Sequence, residues 1–290
     1  MPAPGQLLSP PPPVTIPTVP TLIPISSLDD PRIAPYTRLK ERDLSREGGR
    51  FIAEGHMVVQ RLLGSRFRVE SLLVARDRLD AMRPHIPPGT TVHVAEHGLV
   101  NRIVGFQFHS GVMAIAFKPP SLSLDDLART WADQPLTLMV LSEITKTDNL
   151  GSLFRIAAGF SVSAVVLGPR CCDPFYRQSV RVSMGAVFTM PIVRSEDLIT
   201  DLDMLRSRHG FDVAASVLAD DAEPLALATR SRRLALVFGN ENTGLTPDEV
   251  AACNRRVIIP MGSGVDSLNV SVAAAVVLYH FTQVAVPGTS

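Results

Sequence analysis

The stretch Val257–Val272, VIIPMGSGVDSLNVSV, decides how this chain is read. A β-branched run, Val257-Ile258-Ile259, favours a strand and stops at Pro260. Gly262 and Gly264 follow in a loop, and Ser267-Leu268-Asn269 then opens a long apolar segment. Glycines allow close backbone approach to a bound molecule, and a helix start offers unpaired N–H donors. Strand, glycine loop and helix start, in that order, make a small-molecule cradle at a strand end.

The same grammar recurs upstream. Leu136–Ser142 reads as a buried strand, and Asp148 or Asn149 can cap a helix running to about Phe160. Ala164–Leu167, Val187–Val193, Asp212–Val217 and Leu234–Phe238 read as strands, and Asp197–Arg208 as a helix. Thr246-Pro247-Asp248-Glu249 combines an N-cap, a proline at the first helical position and a glutamate that closes a capping box. Val257–Pro260 is the last strand and Ser267–Val284 the last helix. This alternation predicts an α/β fold: a mainly parallel sheet with helices on both faces. Ligands of such sheets bind beyond the C-terminal strand ends, so the segments after Ser142, Phe238 and Ile259 are the place to look.

Four segments are expected: a Pro-rich arm at 1–31, a small α/β domain at 32–118, a polar linker at 119–134 and the parallel-sheet domain at 135–290. The arm holds ten prolines and no Lys or Arg, so it lacks the basic start and unbroken apolar core of a signal peptide. In the small domain Phe51–Leu63 has helical apolar spacing, while Ser71–Ala75, Thr91–Val94 and Gly111–Phe117 read as strands.

Net charge is zero but unevenly spread. Residues 32–118 carry 14 Lys and Arg against 8 Asp and Glu, and residues 119–290 carry 14 against 18. Arg38, Lys40, Arg42, Arg46 and Arg50 are close enough to form one basic strip, which suits a polyanion or a merely solvated surface equally well. The three cysteines include no CxxC pair, and the seven histidines are scattered, so no metal centre and no disulfide framework is expected. A reducing cytoplasm is the default compartment. No run of 18 or more apolar residues is present, so no membrane span is expected. GxGxxG after the first strand, GxxxxGK[ST], HExxH and GxSxG are all absent.

Three segments together resemble a known family: Asn149-Leu-Gly151-Ser-Leu-Phe-Arg155-Ile-Ala157, Phe238-Gly239-Asn240-Glu241-Asn242-Thr243-Gly244-Leu245, and Ile259-Pro260-Met261-Gly262 leading to Ser267-Leu268-Asn269-Val270-Ser271-Val272-Ala273. In order, spacing and C-terminal placement they are similar to the three motifs of the SpoU (TrmH-like) branch of the SPOUT RNA methyltransferases. The basic segment from about 38 to 118, with Phe51-Ile-Ala-Glu54-Gly55 and His109-Ser-Gly111-Val112, more loosely resembles the ribosomal-protein-like substrate-binding domain of many members.

The resemblance implies a trefoil knot, S-adenosyl-L-methionine held by the knotted loops, a homodimer, and methylation of an RNA ribose 2′-hydroxyl. It places Gly239, Ile259 and Leu268, with Met261 and Ser267 beside them, around the cofactor. It makes Arg155, Asn149, Glu241 and Asn269 the catalytic candidates. Each has a plainer alternative: an interhelical ion pair for Arg155, a helix cap for Asn149, a surface turn for Glu241, and for Ser267 the cap of the last helix with Asn269 at its second position. Asn242 stands where the family commonly has glycine, and Asn tolerates a left-handed backbone. The separate N-terminal domain favours ribosomal RNA over transfer RNA as substrate. The alternatives are a tRNA 2′-O-methyltransferase, methylation of a base, and a non-catalytic RNA-binding or ribosome-assembly factor.

Overall fold

A computed structural model describes residues 19–37, 49–131, 134–262 and 267–285. The N-terminal sheet has strands β1 (Thr21–Pro24), β2 (Arg50–Glu54), β3 (Val69–Ala75), β4 (Thr91–Ala95) and β5 (Val112–Phe117), in the order β1-β4-β3-β5-β2. β1, β4 and β3 pair in parallel, and β5 runs antiparallel to both β3 and β2. Successive side chains of a strand face opposite ways. Phe51 and Ala53 therefore enter one core with Val58 and Leu62 of helix α1 (His56–Leu63), while Ile52 enters another with Val100 and Ile103 of helix α2 (His97–Val104).

The C-terminal sheet holds β6 (Leu136–Leu141), β7 (Ala164–Leu167), β8 (Ile192–Arg194), β9 (Asp212–Ser216), β10 (Glu223–Pro224), β11 (Arg233–Phe238) and β12 (Arg255–Ile258). Their order is β10-β12-β9-β11-β6-β7-β8, with every pair parallel. The helices are α3 (Leu124–Thr130), α4 (Thr147–Gly159), α5 (Arg177–Val182), α6 (Leu198–Ser207), α7 (Pro247–Ala251) and α8 (Val270–Tyr279). Met139 and Leu141 pack with Leu150, Leu153 and Phe154 of α4 and Ala274 and Leu278 of α8. Leu138 and Val140 face the other way, toward Leu202 and Leu205 of α6. The expected parallel sheet with helices on both faces is present.

One core crosses between the halves. Phe51 stacks on Phe175 and Phe188 at 5.1 and 5.7 Å between ring centroids, and Phe67 meets the same two rings at 5.7 and 5.3 Å. Arg177 of α5 pairs with Glu54 of β2 at 3.1 Å, and Arg61 of α1 donates to the Met184 carbonyl at 2.5 Å.

Several local expectations are corrected. Phe51–Leu63 is not one helix: its first residues pair with β5 across the sheet, and Gly55, at φ 100°, separates strand from helix. Within the segment assigned to the arm, Thr21–Pro24 is a strand that pairs with β4. The linker contains α3, capped by Ser123, whose Leu124 and Ala128 are buried. Val187–Val193 is a 3₁₀ turn (Ala186–Phe188) followed by the short β8, since Phe188 is drawn into the aromatic cluster. α5 carries no strong sequence signal and was not expected. Lys146, not Asp148 or Asn149, is the N-cap residue of α4, which leaves Asn149 inside the first turn. Asn269, not Ser267, caps α8, accepting from the Ser271 N–H at 2.9 Å.

Candidate active site

Parallel pairing brings the C-terminal ends of β6 and β11 side by side, and the Ser142 N–H continues the ladder to the Phe238 carbonyl at 2.9 Å. The loop after β11 closes on itself through reciprocal Asn240 and Gly244 backbone bonds of 3.0 and 2.9 Å. Gly244 supplies the left-handed turn at φ 69°. Among the described non-glycine residues only Ser161 and Met184 have positive φ, so Asn242 is not left-handed as its position suggested. Gly239 is needed for close approach: a Cβ there would lie 2.3 Å from the Gly244 carbonyl carbon.

The loop is fastened from behind. Thr246 and Glu249 form the anticipated capping box. Glu249 is buried, and its other oxygen accepts from the Ser142 hydroxyl at 2.5 Å. Satisfying both carboxylate oxygens offsets the cost of burying them.

Three loops far apart in sequence then meet through side chains. The Asn269 amide donates to the Asn149 side-chain oxygen at 3.2 Å, and the Asn149 amide donates to Glu241 at 2.5 Å. Ser271 donates to the Asn149 backbone carbonyl at 3.3 Å, tying the first turns of α4 and α8 together. Helix-cap and turn readings account for part of this: Asn269 is a cap as well as a link. A surface-turn role does not account for Glu241, which reaches across to α4.

Beside this chain opens a cavity of about 920 Å³. Gly239, Ile259, Met261, Ser267 and Leu268 all line it, as does Glu241. Asn149, Arg155 and Asn269 are not among its lining residues, which leaves them outside the cavity. Arg155 projects from α4, is exposed, and has no ion pair among the described residues. Among the described residues no acidic partner supports the interhelical-ion-pair reading of Arg155. Ser216, the last residue of β9, and Val217, Leu218 and Ala219 after it form a wall that sequence reasoning missed. The strand-end rule applied to Asp212–Val217 would have found it.

Cys253 also borders the cavity, and burial pushes its thiol up to about 12. Among the described residues no group of three or more His, Cys, Asp or Glu is placed to hold a metal, and no helix is long and apolar enough to cross a membrane. Arg38, Lys40, Arg42 and Arg46 of the basic strip lie outside the described residues; Arg50 pairs with Glu70 at 3.3 Å.

Comparison with known proteins decides the family. Residues 137–279 match the SpoU rRNA Methylase family. An uncharacterized tRNA/rRNA methyltransferase of Mycobacterium tuberculosis is 38% identical over 263 residues, covering 88% of this chain and 90% of the relative. The chain belongs to the SpoU family. Within it, the 23S rRNA (guanosine-2′-O-)-methyltransferase RlmB of Acinetobacter baylyi is 32% identical over 197 residues, covering 67% of this chain and 79% of that protein. The fold of this SpoU protein matches an AdoMet-bound rRNA methyltransferase from Sinorhizobium meliloti with a TM-score of 0.75, 24% identity and coverage of 89% and 97% of the two chains.

Proposed function

We propose that this protein transfers a methyl group from S-adenosyl-L-methionine to a ribose 2′-hydroxyl of RNA, and that the RNA is ribosomal. The observation that carries this reading is the hydrogen-bonded chain Asn269–Asn149–Glu241 at a strand-end cavity, with an exposed arginine, Arg155, on the same helix as Asn149. The relatives support the substrate, because RlmB is named for 2′-O-methylation of guanosine in 23S rRNA.

The cofactor fits the residues present. The cavity of about 920 Å³ lies within the range of roughly 300–1,000 Å³ usual for small-molecule pockets. Its lining draws on the loops after β9, β11 and β12, and at Gly239 any side chain would collide with the loop backbone. Gly239, Ile259, Met261, Ser267 and Leu268 would hold the cofactor, which supplies an electrophilic methyl group. Glu241 and Asn149, locked to each other, orient the polar side of the site.

Arg155 is assigned to the substrate. A guanidinium with a pKa above about 12 is a poor base, but its planar fork suits a phosphate. Gripping the phosphate beside the target ribose steers the 2′-hydroxyl toward the methyl group and stabilises charge on its oxygen as the proton leaves.

The reading also includes a homodimer, a cytoplasmic location where ribosomal RNA is made, and a trefoil knot in the loops that surround the cofactor. Val272, Val276 and Tyr279 support the dimer: all three are exposed and fall on one stripe of α8. The deciding experiment incubates the purified protein with isotopically labelled S-adenosylmethionine and ribosomal RNA, then digests the RNA to nucleosides. Label in a 2′-O-methylnucleoside is the expected result. Label in a base, or none in any cellular RNA, would overturn it.

A further inference from the structure

A second cavity, of about 560 Å³, lies where the N-terminal sheet runs into the linker, and shares no lining residue with the strand-end site. Its walls come from Arg66, Phe67, Arg68, Phe117, Lys118 and the turn Pro119–Leu122. Three features set its chemistry. The Arg68 guanidinium carbon lies over the Phe117 ring, 3.7 Å from its centroid, on an exposed side chain. Arg66 and Arg68 are exposed, and neither has a carboxylate partner among the described residues. Phe67, Pro119, Pro120 and Leu122 supply apolar walls.

A planar group between apolar walls and a guanidinium plane, with a second guanidinium free for an anion, describes one nucleotide. RNA-binding surfaces use this combination for unpaired bases, which stack on aromatic rings or arginine planes while cations take the phosphates. We infer that this cavity receives an unstacked nucleotide of the substrate RNA, its base against Arg68 and its phosphate on Arg66. The inference rests on the RNA-directed function proposed above and adds to it a second grip, separate from the target ribose.

The position of the cavity gives such a grip a purpose. Phe67 belongs to both the cavity wall and the aromatic cluster that joins the halves, and Lys118 pairs with Asp173 of the C-terminal half. A nucleotide seated here is therefore held in fixed relation to the segment 173–190, which packs on α4, the helix that carries Arg155. Two contacts at a set separation would select RNA by shape as well as by the target nucleotide.

The test uses the full-length protein. Arg66→Gln and Arg68→Ala are surface changes that leave the core untouched. Binding of a short single-stranded RNA of mixed sequence is followed by fluorescence anisotropy across a salt series, with S-adenosylmethionine affinity as the internal control. Arg68→Ala should weaken RNA binding about tenfold, within the range for losing one stacking contact. Arg66→Gln should lower the log–log salt slope by about 0.7, the value for one single-strand phosphate. Ribosomal RNA carrying 4-thiouridine should cross-link to a peptide containing Arg66–Arg68 or Phe117–Leu122. Wild-type affinity and slope in both variants, with cross-links elsewhere, would overturn the second grip while methyl transfer by the wild type left the proposed function standing. Failure of the wild type both to bind and to methylate RNA would overturn both.

Discussion

The side chain of Asn269 donates to that of Asn149 at 3.2 Å across 120 residues of sequence, and the bond has a direction. Because Asn149 spends its own amide on Glu241, its oxygen must accept from Asn269. The links form one polarised chain, so a residue that caps α8 but cannot donate would break it. Asn269→Asp is such a residue, since Asp and Asn cap helices about equally. The variant should lose no more than about 6 °C of thermal midpoint, because the bond is worth roughly 1–1.5 kcal/mol. Methyl transfer should fall about five- to thirteenfold, for loss of a hydrogen bond of roughly 1–1.5 kcal/mol. Wild-type turnover would show that the link is only structural.

Arg155→Ala should bind S-adenosylmethionine normally and lose about two orders of magnitude or more in methyl transfer, as for removal of a positioned charge from a reaction centre. Arg155→Lys should rescue poorly, since a point charge does not replace a planar fork. Calorimetry and labelled methyl transfer on the same preparations separate the two effects. Loss of cofactor binding in Arg155→Ala would remove this residue from the substrate side.

Gly239→Ala forces a Cβ to within 2.3 Å of the next turn's backbone, which has no flexible end to yield. The loop must open, so cofactor affinity should drop below detection while circular dichroism stays native. Retained affinity would show that the cavity does not depend on this turn.

Ser142→Ala leaves one oxygen of the buried Glu249 without its protein partner. Urea unfolding should show a loss of about 1–3 kcal/mol, the cost of an unsatisfied buried group. The double variant Ser142→Ala with Glu249→Gln should recover part of that loss, because a neutral amide is less costly to leave half-bonded.

Burial holds the thiols of Cys172 and Cys253 up at about 12 and raises that of Cys171 as well. The thiolate is the reactive form, so near pH 8 all three should react slowly with a disulfide reagent in the native protein and quickly after unfolding. A fast native phase would place one of them in a different environment.

The parallel sheet was legible because its strands are nearly continuous apolar runs such as Leu138–Leu141 and Leu234–Phe238, and because Thr246 to Glu249 is a capping box that means the same thing in any context. Elements whose identity depends on distant partners were misread. Phe51-Ile52-Ala53 suits a helix as well as a strand until β5 is available to pair with it. Phe188 looks like part of a strand until the Phe51 and Phe67 rings claim it. Ser123 with Asp126 was a readable helix start that a polar linker reading passed over. In the site, Gly239, Ile259, Met261, Ser267 and Leu268 could be named from their motifs, while the wall from Ser216 to Ala219 was missed. The direct bonds among Asn149, Glu241 and Asn269 could not be named, since they depend on how α4 and α8 cross.

The strand β1 has a consequence for solubility. Thr21 and Ile25 donate their N–H groups inward to Thr90 and Val94, so the alternate positions, Pro20, Leu22 and Pro24, face outward from the sheet. Proline has no N–H to offer, and along this open edge only Leu22 can donate to an added strand. A short strand flanked by two prolines thus blunts the edge on which another chain could pair. A truncation through Pro24 would instead bare the backbone of β4, whose Val92 and Val94 are buried, and such a protein should self-associate through that strand long before its active site is lost.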